Sequence, residues 1–312
     1  MQHLFITGAT GVLGRATALH FLRKGCKVTG LVRNPDKAVD LISEGMKPFV
    51  GDLSTLVPDR LMFDDIEVVM IASHSLIGRG KNASVIIDDK AVRMLVDVAK
   101  QAGVKQFIYT SIHGVSHDHP VDFFRTKFHI EEYLRISGIN YTILRLSAFM
   151  EWHAYNLLGK QILEKGKAII LGNGENKNNF IAVRDVVTAL NQITGNAWYF
   201  NKTISISGPE NLSKNEVAEE FGRSIGIVPR VSHVPETALK ILSAVFKPFH
   251  PGISRVMKLS LQNEHSNQSR DENETITQFG MPPTYLKTFV QSLLDERDPE
   301  YRKKQMPMKV FS

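Results

Sequence analysis

The sequence predicts an α/β fold, a doubly wound parallel sheet with helices on both faces and a smaller C-terminal lobe. Three observations predict it. Short β-rich runs alternate with helical segments through the first half of the 312 residues, the pattern of a parallel sheet covered on both faces. A glycine-rich turn joins the first strand to the first helix. The alternation then fades, and glycine and proline cluster at 248–252 and 280–283. We expect a main domain over 1–150, a smaller lobe over 151–294 with segments returning to the main sheet, and a flexible tail over 295–312.

The elements follow in order. Leu4–Thr7 is a strand. Val12, Leu13, Ala16, Leu19 and Leu22 recur at helical spacing, and Gly25 ends that helix. Lys27–Arg33 is the second strand. Asn34-Pro35 offers a cap with proline at the first helical position, opening a helix to about Glu44. Pro48–Gly51 is short and extended, and Glu67–Ser73 is a buried strand. Ser84–Ala102 carries apolar residues at 87, 91, 94, 95 and 98, so it is a long helix. Gln106–Ser111 is a fifth strand, Thr126–Ser137 a helix stopped by Gly138, and Tyr141–Leu146 a sixth strand. Further on, Ser213-Lys214-Asn215-Glu216 is a capping box for a helix to about Ile225. The apolar run 238–249, with two lysines, is expected to pack on the main domain or line an apolar substrate pocket. A membrane or partner surface is the alternative.

Composition excludes several classes. Hydrophobic residues at 43% and charged residues at 22% suffice for a core. The net charge of +6 is scattered, so it argues for no nucleic acid, and an anionic small ligand explains it as well. Cys26 is the single cysteine, so there is no internal disulfide and no thiolate zinc site. The first residues lack a basic and then apolar leader pattern, and no apolar run reaches 18 residues. We therefore expect a cytoplasmic protein without a transmembrane segment.

The turn Thr7-Gly8-Ala9-Thr10-Gly11-Val12-Leu13-Gly14 sits between strand and helix, the context of a dinucleotide-binding (Rossmann) fingerprint. Gly8 permits the tight turn, Gly11 lets the backbone approach a pyrophosphate, and Gly14 lets the helix pack close to the sheet. The helix N-terminus then offers free N–H groups to the phosphates. At the end of the second strand, an acid selects NAD and an arginine accommodates the 2′-phosphate of NADP. Arg33 stands there. Arg15 and Lys37 are expected to converge with it, and Asp36 is the nearby acid that would serve NAD. The cofactor expected is NADP(H) rather than NAD(H).

The spacing G-x-x-G-x-x-G beside the first strand resembles the short-chain dehydrogenase/reductase superfamily, in its atypical NmrA-like and isoflavone-reductase-like branch. Gly51-Asp52-Leu53 matches that family's G-D-L, which flanks adenine, although Asp52 is equally a turn former. Lys127–Phe149 (KFHIEEYLRISGINYTILRLSAF), Asn179–Val187 (NFIAVRDVV) and Ile206–Glu210 (ISGPE) match later family segments in order, so the resemblance covers about residues 1–290. The candidate cofactor-binding residues are Gly8, Thr10, Gly11, Val12, Leu13, Gly14, Arg33, Asp52, Leu53, Ala72, Ser73 and Lys127.

The superfamily's usual catalytic set is a Ser, a Tyr and a Lys four residues after the Tyr. Ser111, or Thr110, stands at the Ser position and Lys127 at the Lys position, but the Tyr position holds Phe123. A phenyl ring has no proton to give, which argues against the sugar-epimerase activity found in the superfamily. The isoflavone-reductase-like members also lack that Tyr and rely on the Lys. The candidate catalytic residues are Lys127, Ser111 and His113. Among His113, His117 and His119, the choices are polar loop residues, one replacement for the missing acid, or a metal cluster. The resemblance implies an NADPH-dependent reductase of a hydrophobic carbonyl, quinone or conjugated small molecule. The alternative is a non-catalytic NADP(H)-binding redox sensor, regulatory or assembly protein with a protein partner.

Overall fold

A computed structural model of the chain describes residues 2–297. They form two compact units. The first takes the chain up to Leu146, with Val187–Ser205 and Phe249–Arg255. The second takes Ser147–Val186, Ile206–Pro248 and the chain from Val256 onward. The expected tail begins inside a helix, since Leu286–Arg297 is helical, and its remainder, 298–312, lies outside the described residues.

The chain runs β1 (His3–Thr7), α1 (Val12–Arg23), β2 (Lys27–Val32), a 3-10 turn over Pro35–Ala38, α2 (Val39–Ser43), β3 (Lys47–Val50), β4 (Val68–Ile71), a π-helical turn over Val85–Lys90, α3 (Ala91–Gln101), β5 (Gln106–Ile112), α4 (Asp122–Ser137) and β6 (Tyr141–Leu146). It continues through β7 (Ala148–Phe149), a π-helical stretch over Met150–Gly159, α5 (Lys160–Lys165), β8 (Lys167–Leu171), β9 (Asn178–Ile181), α6 (Val183–Ile193) and β10 (Lys202–Ile206). Then come β11 (Glu210–Leu212), α7 (Lys214–Ser224), β12 (Arg230–Val234), α8 (Glu236–Phe246), α9 (Pro251–His265), α10 (Glu274–Phe279) and α11 (Leu286–Arg297).

The central sheet has seven strands in the order β10-β6-β5-β4-β1-β2-β3. Pairing from β3 through to β6 is parallel. This is a Rossmann-like α/β fold, as the alternation predicts. Helices cover both faces of such a sheet, so its inner strands read as continuous apolar runs. All four residues of β4 are buried, and so are the first four of β5. Phe5, Val69, Ile71, Phe107 and Tyr109 meet Leu95 and Val96 of α3 and Ile130 and Leu134 of α4 in one core cluster. In the second unit, Met150, Ala154 and Leu158 pack with Phe221 of α7 and Val290 of α11.

Local chemistry sets the element ends. The Asn34 side chain accepts from Asp36 N at 2.9 Å, capping the 3-10 turn. Ser213 and Glu216 form both bonds of the capping box of α7. Gly138 ends α4 in the left-handed region at φ +76°. Two helices differ from expectation. The helix expected from Ser84 begins as a π-helical turn, where Ser84 and Asp88 bond to each other. α4 starts one turn early, at Asp122, whose carboxylate takes Arg255 Nε at 2.7 and 2.9 Å. α8 buries Leu239 and Ser243 but leaves Ile241 63% and Val245 54% exposed.

Candidate dinucleotide site

In an open parallel sheet, ligands bind outside the carboxyl ends of the strands where the winding reverses. That point here lies between β1 and β4, since β2 and β3 continue on one side of β1 and β4, β5 and β6 on the other. The glycine turn stands at this point. The three glycines have different surroundings. A Cβ on Gly8, where φ is +69°, would lie 2.8 Å from Ser73 N, and one on Gly14 would lie 2.2 Å from Gly8 O. Both glycines therefore serve close backbone packing. Gly11 is exposed, and a Cβ there would meet nothing but Gly8 O, at 3.2 Å. It opens a path to the first N–H groups of α1, so the turn fits a pyrophosphate. Thr10 is exposed and Val12 partly so, while Leu13 is buried and its side chain belongs to the core.

On the adenosine side, Arg33 is exposed at the tip of β2. Arg15 does not join it. It forms an ion pair with Asp40 and donates to Lys37 O at 2.8 Å, because α1 lies beside the start of α2. The expected convergence of three cations is thereby reduced to the exposed Arg33 and Lys37. Asp52 accepts from Ser54 N at 3.0 Å, with Lys81 at 3.8 Å. The bond from Ser54, and the charges of Lys81 and Arg33, hold its carboxyl below the usual range. Asp52 is thus a turn former in a cationic corner, and Leu53 beside it is half-buried.

At the other end, β4 exits through Ala72 and Ser73, both partly exposed. Thr7 and Ser73 share a hydroxyl–hydroxyl bond of 2.9 Å. Ser75 N donates to both oxygens of Asp88 at 3.0 and 3.1 Å, and Ser84 Oγ donates to Asp88 at 2.6 Å. Asp88 is 2% exposed, and burial raises its pKa while the Lys127 ammonium opposes the shift.

Lys127 lies one helical turn into α4 and is 3% exposed. It makes no surface pair with Glu131. Its Nζ donates to Thr110 O at 2.9 Å and to Tyr109 Oη at 3.4 Å, over the Tyr109 ring at 4.8 Å and the Phe123 ring at 5.4 Å. Burial lowers its pKa, and Asp88 and Glu131 oppose the shift.

Ser111 is the clearest departure from expectation. It is 1% exposed, and its Oγ donates to Glu131 Oε1 at 2.6 Å. The Glu131 carboxylate also takes Arg145 Nε at 3.1 Å and Nη2 at 2.6 Å. A buried carboxylate needs that many donors, so the hydroxyl is held in a structural network. Thr110 Oγ1 likewise donates to Ile71 O at 2.7 Å. The histidine loop divides. His119 is buried and stacked on Phe124 at 4.1 Å, with Nδ1 accepting from Val121 N at 3.1 Å. His117 is exposed against Phe128 and His129. His113 is half-buried, with its backbone N–H on Leu146 O at 3.4 Å. No group of three metal-ligating side chains assembles among the described residues. The histidine at the exit of β4 is His74, which no sequence motif marks. Its ring stands edge-on to Phe123 at 5.9 Å.

Residues 1–293 match the model of the NmrA-like family. The chain belongs to that family. Its relatives carry several different names. A photosystem II assembly factor Ycf39 of Guillardia theta is 28% identical over 298 residues, 92% of this chain and 93% of that protein. Quinone oxidoreductase 2 of Escherichia coli (strain K12) is 25% identical over 71% of this chain and 74% of that protein. Isoflavone reductase of Medicago sativa is 26% identical over 75% and 79%. Among solved structures, the E. coli NADPH-dependent quinone oxidoreductase QOR2 in complex with NADPH superposes with a TM-score of 0.71. It covers 93% of this chain and 99% of its own, at 23% identity, a likeness of fold. No helix among the described residues is long and apolar enough to cross a membrane.

Proposed function

We propose that this NmrA-like protein binds NADP(H) at the β1–β4 switch point and reduces a quinone-type acceptor. The glycine turn and the α1 N-terminus hold the pyrophosphate, and Arg33 takes the 2′-phosphate. Asp52 and Leu53 flank the adenine, Ala72 and Ser73 border the far half, and Lys127 supplies a fixed positive charge beneath it. When bound, NADPH supplies a hydride.

Phe123 carries the choice of acceptor. It holds the position of the superfamily's tyrosine acid, and the hydroxyls of Ser111 and Thr110 are bonded elsewhere. A positioned acid accelerates such reactions by about 10²–10⁴-fold, and an aldehyde or ketone needs one because its alkoxide product is strongly basic. A quinone does not, since its product is a weakly basic phenolate that water can protonate. The named activity of the E. coli quinone oxidoreductase supports the same class.

Burial of Lys127 and near full-length similarity to the Ycf39 assembly factors favour a second reading, cofactor binding without turnover. NADPH oxidation, followed with 1,4-benzoquinones and with matched aldehydes and ketones, separates the two. The expected result is kcat/KM at least about 100-fold higher on quinones. Equal rates on aldehydes would contradict the absence of a positioned acid. Tight NADPH binding with no oxidation by any acceptor would favour the assembly reading.

A further inference from the structure

We infer that His74 is the catalytic residue at the acceptor end of the site, donating a hydrogen bond from its imidazole to the acceptor oxygen as negative charge gathers there. The inference rests on the reductase reading, and it deepens it by naming a hydrogen-bond donor, not a proton donor, for the acceptor oxygen.

Position comes first. His74 is the third residue past β4, on the side of the switch point away from Arg33. Its ring lies 5.9 Å from the ring of Phe123, the residue in the tyrosine position. It therefore borders the space that a tyrosine hydroxyl would serve.

Preorganisation comes second. A donor is effective when its backbone is fixed before the reaction. Both neighbours of His74 are fixed. Ser73 Oγ bonds to Thr7 Oγ1 at 2.9 Å, and Ser75 N is clamped by both oxygens of the buried Asp88. Ser75 Oγ is also bonded to Asn82 O. Ser84 and the π-helical turn hold Asp88 in turn. The histidine is thus an exposed side chain on an anchored main chain.

Availability comes third. In the His113, His117 and His119 loop, the His119 ring is held in a stack on Phe124 and the His117 ring stands against Phe128 and His129. His74 is exposed, so its ring is open to an acceptor. Loss of hydration lowers its pKa, and the Lys127 charge adds to the effect, so the imidazole is neutral at pH 7. A neutral imidazole donates a hydrogen bond without giving up its proton, a role known for histidine at a developing oxyanion. One quinone oxygen takes the hydride, the ring becomes aromatic, the opposite oxygen holds the electron pair as a phenolate that His74 hydrogen-bonds, and solvent water supplies the proton to that phenolate.

The test uses the full chain and two readouts. His74→Phe keeps the ring shape and removes the donor, whereas His74→Gln keeps a donor. With a quinone, His74→Phe should lose kcat/KM by about 100-fold, the scale for one oxyanion donor, and His74→Gln should lose much less. NADPH affinity should stay within about threefold, which also shows that the variants fold. The second readout needs no turnover: affinity of 2,6-dichlorophenolate, an oxyanion mimic, for the protein saturated with NADP+. It should fall at least tenfold in His74→Phe and recover in His74→Gln. Equal phenolate affinity in wild type and His74→Phe overturns the assignment whether or not the protein turns over, and so does absence of phenolate binding in wild type. Loss of the reductase reading alone would look different: His74-dependent phenolate binding with no NADPH oxidation.

Discussion

Glu151 shows most clearly how a single side chain is governed by its surroundings. It is 5% exposed, its Oε1 accepts from Val183 N at 2.9 Å at the start of α6, and its Oε2 is buried with no hydrogen-bond partner among the described residues. Burial pushes its pKa up to about 7, with the charge of Asp185 adding to the rise. The folded-state pKa lies above the unfolded one, so the protonated acid is the form that suits the fold. Its stabilisation is complete below about pH 4 and is lost as pH rises through about 7. From 4.5 to about 7 the shift corresponds to about 3 kcal/mol at pH 8. Glu151→Gln keeps the acceptor for Val183 N and cannot ionise. It should therefore raise Tm by several degrees at pH 8 and leave it nearly unchanged at pH 5, read by thermal unfolding at both values. A wild type as stable as the variant at pH 8 would show that Glu151 ionises freely. The sequence offers no sign of this residue, because burial is decided by distant segments. The same holds for His74 and Asp88, whose stretches read as ordinary loop and helix. Ser111 was legible by position, but its partner Glu131 was not, since the bond depends on how α4 lies over β5.

At the scale of elements, the β1–α1 turn separates packing from binding. Gly14 has backbone where a Cβ would go, while Gly11 has open space beyond Gly8 O. Gly14→Ala should destabilise the fold by about 1–3 kcal/mol, the usual penalty for overpacking. Gly11→Val should leave stability within about 1 kcal/mol, as for an N-cap exchange, and abolish dinucleotide binding. Denaturant unfolding and cofactor titration of both variants check this, and a Gly11→Val protein that still bound NADPH would remove the turn from the site. This turn, the capping box of α7 and the Asn34 cap were legible because each is a local pattern with a local cause. The first turn of α4 was not, because Asp122 is held there by Arg255, distant in sequence. The π-helical turn ahead of α3 was hidden too, since its sequence keeps helical periodicity.

At the scale of the whole molecule, the seven-stranded sheet followed from the alternation of the first 146 residues, apart from its edge. β10 reaches that edge from Lys202–Ile206, a return that no periodicity announces. The central claim, an NADP(H) site at the switch point, depends on the open turn at one end and the exposed Arg33 at the other. Calorimetric titration with NADPH and NADH, on wild type and Arg33→Ala, tests it most directly. A charge-assisted hydrogen bond is worth about 1.5–3 kcal/mol, so NADPH should bind at least tenfold more tightly than NADH, and Arg33→Ala should erase that preference by weakening NADPH alone. Equal wild-type affinities, or a preference that survives Arg33→Ala, would contradict the role of Arg33, and no binding of either cofactor would contradict the site itself.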